Sequence, residues 1–342
     1  MALAWPWLGP GPGLAPACPW LGVGLALAWR RRGCGLALAC PWLGPGVGSA
    51  LVWVWLGVGE QPTMIMMAGN HGDEYEGPIA LFDLANKIKA EEISGRVIIV
   101  PGMNYPAFKA GKRTSPIDGG NMNRVFPGNP EGTFTEKIAD YFNRILLPMA
   151  DYVVDFHSGG KTLDFLPFCC AHVLDDKDQQ KKCIAAMKAF NAPHSVMLLE
   201  IDAVNMYDTA AENMGKVFIS TELGGGGSTT AYTVEIAKKG IRNILRHAGI
   251  TQGDLEVHET LSLDMPDDSC YIFSESTGLV EHCVDLGDEV KSGQLIAKVH
   301  NIERTGSPPD EYHAKIDGIF TGKHFPGLVA NGDFLGVIAV PV

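Results

Sequence analysis

Residues 63–90 read TMIMMAGNHGDEYEGPIALFDLANKIKA, and the fold turns on how this stretch is read. Thr63–Met67 is an unbroken apolar run of strand length, the pattern of a strand buried on both faces. Pro78–Ala90 predicts a helix, with Pro78 in the first turn, where its missing N–H is no loss. Between the two lie His71, Asp73, Glu74 and Glu76. A polar cluster where a strand ends and a helix begins occupies the edge at which open α/β sheets bind ligands.

The same alternation continues outward. Arg96–Val100 predicts a short buried strand, and 102–132 a long Gly/Asn/Pro-rich loop of the kind that carries function. Thr133 and Glu136 have the spacing of a capping box, opening a helix that should end before Pro148. Tyr152–Phe156 and Val217–Thr221 predict further strands, the first running into His157-Ser-Gly-Gly and the second into Glu222-Leu-Gly-Gly-Gly-Gly. Ser228–His247 predicts a long helix stopped by Gly249. These elements imply an α/β domain over 51–254, a largely parallel or mixed sheet flanked by helices. After Asp254 short β-rich runs separated by Gly-Asp turns fill 255–342. There LGDEVKSGQLIAKV resembles the repeated hairpin of biotinyl/lipoyl barrel-sandwich domains. The carrier-lysine motif is absent, so a structural barrel or sandwich is expected, not a swinging arm.

The first fifty residues have another texture. All seven tryptophans fall between Trp5 and Trp55, no Asp, Glu or Lys precedes Glu60, and PWLG recurs at Pro6, Pro19 and Pro41. Prolines every few residues forbid a long helix. Arg30-Arg31-Arg32 lies too far along, and the apolar run after it is too short, for a signal peptide. Residues 1–50 are therefore expected not to encode native-like structure, as a misassigned start or an out-of-frame GC-rich segment would not. Strand-like patterning resumes near Ser49.

A chain of 342 residues allows roughly two domains. The net charge of −12 argues against nucleic acid as a partner. No stretch has the ~20 uninterrupted apolar residues of a membrane span. The body cysteines Cys169, Cys170, Cys183, Cys270 and Cys283 form no C-x-x-C and read as free thiols of a cytoplasmic protein. A homo-oligomer fits this class, C2 dimers being commonest.

Three strand ends carry His71 with Glu74, then His157, then Glu222. A catalytic zinc takes three protein ligands and leaves one position open. His71 and Glu74 form an H-x-x-E pair, which alone carries little weight. His157 from a distant strand would complete the set, and Asp155, two residues earlier on the same strand face, could orient it. The other histidines lack the setting of an apolar strand followed by a Gly-rich turn and read as surface or structural. In the long loop, Arg113 and Asn123-Arg124 offer groups for a carboxylate or an oxyanion. Taken alone, that loop reads equally as a segment held by its own Asn and Asp turns.

Together GNHGDEYEGP, GGNMNRVFPG, DFHSGG and STELGGGG resemble the succinylglutamate desuccinylase/aspartoacylase family of the zinc carboxypeptidase-like superfamily. The resemblance runs from about Thr63 to the C-terminus. It implies one Zn2+ on His71, Glu74 and His157, and Glu222 as general base and then acid. It implies Asn123 and Arg124 on the substrate α-carboxylate and Arg113 on the scissile carbonyl. The implied activity is hydrolysis of an N-acyl, and more narrowly N-acetyl, bond of a small amino acid, N-α-acetyl-L-2,4-diaminobutyrate of ectoine breakdown. Desuccinylation, aspartoacylase-type deacylation and carboxypeptidase cleavage are the enzymatic alternatives. A metal-binding scaffold is the non-enzymatic one, and it has no use for Glu222.

Overall fold

The computed structural model describes residues 62–198 and 204–342, with the backbone of two further strands, Gly35–Ala39 (β1) and Leu51–Leu56 (β2). The expectation for 1–50 lies outside the described residues, apart from β1, whose backbone pairs antiparallel with β2. From there the elements run β3 (Thr63–Ala68), α1 (Glu76–Lys87), β4 (Arg96–Val100), α2 (Tyr105–Ala110), α3 (Phe134–Tyr141) and β5 (Tyr152–His157). Next come β6 (Leu163–Phe165), β7 (Phe168–His172), α4 (Lys177–Phe190), β8 (His194–Leu198), α5 (Tyr207–Asn213), β9 (Val217–Glu222) and α6 (Ala231–His247).

The strands lie in the order β1-β2-β4-β3-β5-β9-β7-β8. β4, β3, β5 and β9 are mutually parallel, whereas β7 runs antiparallel to β9. The sheet is therefore mixed. Every residue of β3 is buried, as its unbroken apolar run requires. Its side chains alternate between two cores: Met64, Met66 and Ala68 face α1, α4 and α6, while Ile65 and Met67 face α3 and α5. Each fully buried Met or Ile contributes about 1.5–3 kcal/mol to that packing.

Some boundaries differ from expectation for identifiable reasons. α1 begins at Glu76, before Pro78, and ends at Lys87. The loop 102–132 contains α2, capped by Asn104, whose side chain accepts from Ala107 N–H, with a proline in the first turn and Gly111 left-handed at its end. α3 has the expected Thr133–Glu136 capping box and ends at Tyr141, before Pro148 as expected, although the chain does not leave helical geometry there. It loosens into a π-turn over Phe142–Leu146 and a 3-10 turn over Leu147–Met149, where proline's lack of an N–H does no harm. α6 starts at Ala231, because Thr230 caps it.

The remaining strands are β10 (Leu261–Met265), β11 (Tyr271–Phe273), β12 (Gly278–His282), β13 (Glu289–Val290), β14 (Leu295–His300), β15 (Asp310–His313), β16 (Gly318–His324), β17 (Leu328–Val329) and β18 (Phe334–Pro341). β15-β14-β12-β17 form a separate antiparallel sheet. Its buried residues Ile296, Val299 and Val329 share one core with Phe320 and Ile338 of β16 and β18, so two layers face each other. This part is joined to the first by backbone. β10 pairs parallel with β8 and antiparallel with β18, and β6 pairs with β16. Cys169 and Cys170 enter different cores, and Cys169, Cys170, Cys183, Cys270 and Cys283 are free thiols. No helix among the described residues is long and apolar enough to cross a membrane.

Candidate active site

Neighbouring parallel strands β3, β5 and β9 all end at one edge of the sheet. His157 and Glu222 are register partners at the ends of β5 and β9. The turn after β3 is pinned to the loop beyond β4: Met103 N–H donates to Ala68 O at 2.9 Å, Asn104 N–H to Gly69 O at 2.8 Å, and Gly72 N–H to Lys112 O at 3.0 Å. Gly72 is needed there, since a Cβ would stand 2.0 Å from the Ala107 carbonyl carbon. Gly224, at φ +95°, turns the chain after Glu222 and gives its carbonyl to Gly159 N–H at 2.8 Å. The flanking glycines thus hold His71, Glu74, His157 and Glu222 against one another.

His71, Glu74 and His157 each offer a ligand atom, and those atoms lie within 4.8 Å of one another. All three residues are buried. Nδ1 of His71 is 2.8 Å from Glu74 Oε1, and Nδ1 of His157 is 2.9 Å from Glu74 Oε2. The other ring nitrogens are also engaged. His157 Nε2 sits 2.9 Å from Asp155 Oδ2, and a carboxylate can only accept, so Nε2 carries hydrogen. His71 Nε2 sits 3.2 Å from Asn121 Oδ1, an atom that also accepts Asn123 N–H at 3.1 Å, so this nitrogen donates too. In the neutral imidazoles both Nδ1 atoms are then lone pairs aimed at a carboxylate. That arrangement needs positive charge between them. The donor set fits a divalent cation with affinity for imidazole and carboxylate, as zinc has.

The electrostatics point the same way. Burial pushes the His71 pKa down. Burial raises Glu74, but the two imidazoles outweigh it and hold the carboxyl well below its usual range. Burial lowers His157, yet Asp155 and then Glu74 hold it well above its ordinary value. Glu222 is pushed up to about 8 by burial, with Glu74 adding and His157 and Arg113 opposing. A cation on the donor set acts in the direction of His157 and Arg113, towards ionised Glu222. Glu222 Oε2 is buried with no hydrogen-bond partner.

His71, His157 and Glu222 open on a cavity of about 520 Å³ that also takes in Arg113, Asn123 and Arg124. Arg113 lies 3.5 Å from Glu74 Oε1. Arg124 donates to the Asn123 carbonyl at 2.7 Å. The Asn123 side-chain oxygen accepts Tyr207 N–H at 3.0 Å, so its amide NH2 is the end left for a ligand. Asp73 and Glu76 serve other contacts: Asp73 accepts Lys161 N–H at 3.1 Å, and Glu76 accepts from the Thr233 hydroxyl on α6 at 3.3 Å.

Sequence reasoning missed part of the lining. His172, read as surface or structural, is buried against the cavity with Nδ1 2.8 Å from Glu212. It follows an apolar strand, which was the signal. Asp208 on α5 and Asp268, Tyr271, Phe273 and Phe334 from the C-terminal part complete the wall, and no spacing announces them.

With this geometry in view, the matches to known proteins acquire a site. Residues 60–248 match the family model described as "Succinylglutamate desuccinylase/Aspartoacylase catalytic domain". The chain belongs to the succinylglutamate desuccinylase/aspartoacylase family. This family member is 53% identical over 283 residues to N-alpha-acetyl-L-2,4-diaminobutyric acid deacetylase of Halomonas elongata, covering 82% of this chain and 83% of the relative. It superposes on the product-bound ectoine utilization protein EutE (DoeB) of Ruegeria pomeroyi with TM-score 0.87 and 55% identity, covering 93% of this chain and 98% of that one. A structure described as a succinylglutamate desuccinylase, from Silicibacter sp. TM1040, gives TM-score 0.86 and 52% identity, covering 94% and 99%. The relatives of this family member are hydrolases of N-acyl amino acids.

Proposed function

We propose that this chain is a zinc-dependent amidohydrolase that cleaves N-α-acetyl-L-2,4-diaminobutyrate to acetate and 2,4-diaminobutyrate. The observation that carries the reading is the buried, unpartnered Glu222 Oε2 on the same cavity as the His71–Glu74–His157 donor set. Identity above half to the Halomonas deacetylase supports the substrate. The hydrolase spans 51–254, and 255–342 is a barrel-sandwich-like domain that completes the cavity wall. On this reading the enzyme is cytoplasmic, with a small N-acyl amino acid as its partner, and a homo-oligomer suits the class.

His71 Nδ1, His157 Nδ1 and the Glu74 carboxylate would hold Zn2+, which supplies a Lewis acid and lowers the pKa of water towards ~7. Asp155 fixes the tautomer and ring plane of His157. Glu222 takes the proton of the attacking water and hands it to the departing amine nitrogen, so one carboxylate serves as base and then acid. Arg113 donates to the acyl oxygen as negative charge builds there. Arg124 and the Asn123 amide NH2 receive the α-carboxylate, fixing the scissile bond over Glu222.

The likeness to the Silicibacter structure described as a succinylglutamate desuccinylase favours one second reading, removal of a succinyl group. Such a substrate adds a carboxylate and needs another cation near the acyl group. The test is acetate release from N-α-acetyl-L-2,4-diaminobutyrate, and succinate release from N-succinyl-L-glutamate, with and without chelator. Acetate release abolished by chelation and restored by zinc supports the proposal. Succinate release alone replaces it with the second reading.

A further inference from the structure

The cavity wall carries both signs of charge. Arg113 and Arg124 line it, and so do the carboxylates of Asp208 and Asp268. Asp268 is solvated, but Asp208 is only 8% exposed. Desolvating a carboxylate to that degree is costly unless charge or hydrogen bonds offset it. Asp208 has few offsets. Its Oδ1 accepts the Thr209 N–H at 2.5 Å and the Thr209 hydroxyl at 3.3 Å. Among the described residues no lysine or arginine forms an ion pair with it. Other carboxylates share its surroundings: Asp208, Glu212 and Glu222 all press on the Cys170 thiol, which burial already holds well above its ordinary pKa. Any positive charge on His172 is matched by Glu212 at 2.8 Å. A buried carboxylate facing a cavity with no cation of its own is a receptor for a cation brought by the ligand.

The placement of α5 gives this receptor a direction. Tyr207 N–H is tied to Asn123 Oδ1 at 3.0 Å, so Asp208 and Arg124, the residues next to that link, are fixed relative to each other on the cavity wall. A ligand spanning them carries an anion at one end and a cation at the other.

We propose that Asp208 is the specificity-determining residue of this site, accepting the terminal ammonium of a basic amino acid whose α-carboxylate lies at Arg124. The orientation rests on the reading under Proposed function; the demand for a cation rests on Asp208 alone. Residue 208 touches the substrate side chain, not the scissile bond, so it governs which amide is bound.

The test is calorimetric binding of L-2,4-diaminobutyrate and of its uncharged isostere L-norvaline to the zinc-loaded full chain. Wild type should prefer diaminobutyrate by about 10- to 100-fold, the range of one charge-assisted hydrogen bond. Asp208→Asn, which keeps the Oδ1 acceptor, should lose most of that preference through weaker diaminobutyrate binding, with norvaline unchanged. Asp208→Glu, which keeps the charge, should retain the preference and serves also if the Asn variant does not fold. Equal binding of both ligands by wild type, binding of neither, or a preference that survives Asp208→Asn overturns the proposal. Acetate release from N-α-acetyl-L-2,4-diaminobutyrate is followed alongside. No release with the binding preference intact sinks the deacetylase reading and leaves Asp208 standing. Release with the preference indifferent to Asp208→Asn does the reverse.

Discussion

Tyr207 donates its backbone N–H to the side-chain oxygen of Asn123 at 3.0 Å, across 84 residues of sequence. Both partners are buried, so neither group has water to fall back on. This bond fastens the arginine loop to α5. Asn123→Ala should leave the N–H unsatisfied and cost about 1–3 kcal/mol of stability. Urea denaturation measures that loss. On substrate, KM should rise more than kcat falls, because the variant loosens the anion end of the cavity and leaves Glu222 in place.

Glu222→Gln removes the proton acceptor and keeps the shape. Turnover should drop about 10²- to 10⁴-fold. Zinc content, measured by atomic absorption on the same sample, should stay at the wild-type level. A loss of metal instead would place Glu222 among the ligands.

Asp155→Asn should act through His157. Its carboxylate is 2.9 Å from the imidazole nitrogen that faces away from Glu74. Zinc affinity should fall about 10- to 100-fold, read by competition with a chromogenic chelator. His157→Ala should abolish stoichiometric binding outright.

Metal removal should also lower thermal stability. An ion present at 100 times its dissociation constant stabilises the folded chain by about 2.7 kcal/mol. Differential scanning calorimetry of the chelated and zinc-restored protein should show a reversible shift of Tm. No shift would mean that the ion does not bind the folded chain in preference to the unfolded one.

Acid should weaken a second, structural contact. Arg242 and Arg246 hold Glu256 down to about 2, well below its ordinary 4.5. A carboxyl whose pKa is lower in the folded state stabilises the fold above its unfolded pKa and stops doing so as pH falls through the folded value. The window is therefore pH 4.5 down to about 2. Glu256 is partly exposed, so screening limits the effect to about 0.2–1 kcal/mol. Glu256→Gln should cost that much at pH 7 in low salt, less in high salt, and nothing near pH 2.

The sheet centre and the residues of the His71–Glu74–His157 cluster were legible for one reason: each depends on short-range pattern. Thr63–Met67 is apolar on both faces, and a strand buried on both faces has no other way to look. His71, His157 and Glu222 each sit where such a run meets glycine. α2 was overlooked within its loop although Asn104, a proline in the first turn and Gly111 spell its limits. A helix of six residues is too short for periodicity to show. Asp208 carried no signal at all. In sequence it is one more acid in the first turn of a helix, where acids are common. Its burial, and the absence of a lysine or arginine ion pair to it among the described residues, exist only once α5 packs against β9. The same holds for Tyr271 and Phe334, which reach the cavity from beyond residue 254.

The backbone joint between β8 and β10 has a consequence for how this gene can change. β8 pairs parallel with β7 on one side and with β10 on the other. A chain cut after Asp254 would leave β8 as a bare edge, open to pairing with another molecule. It would also strip Tyr271, Phe273 and Phe334 from the cavity. The C-terminal part therefore does not behave as an exchangeable cassette. Deleting it should give aggregates, and lineages of this enzyme should inherit both parts together.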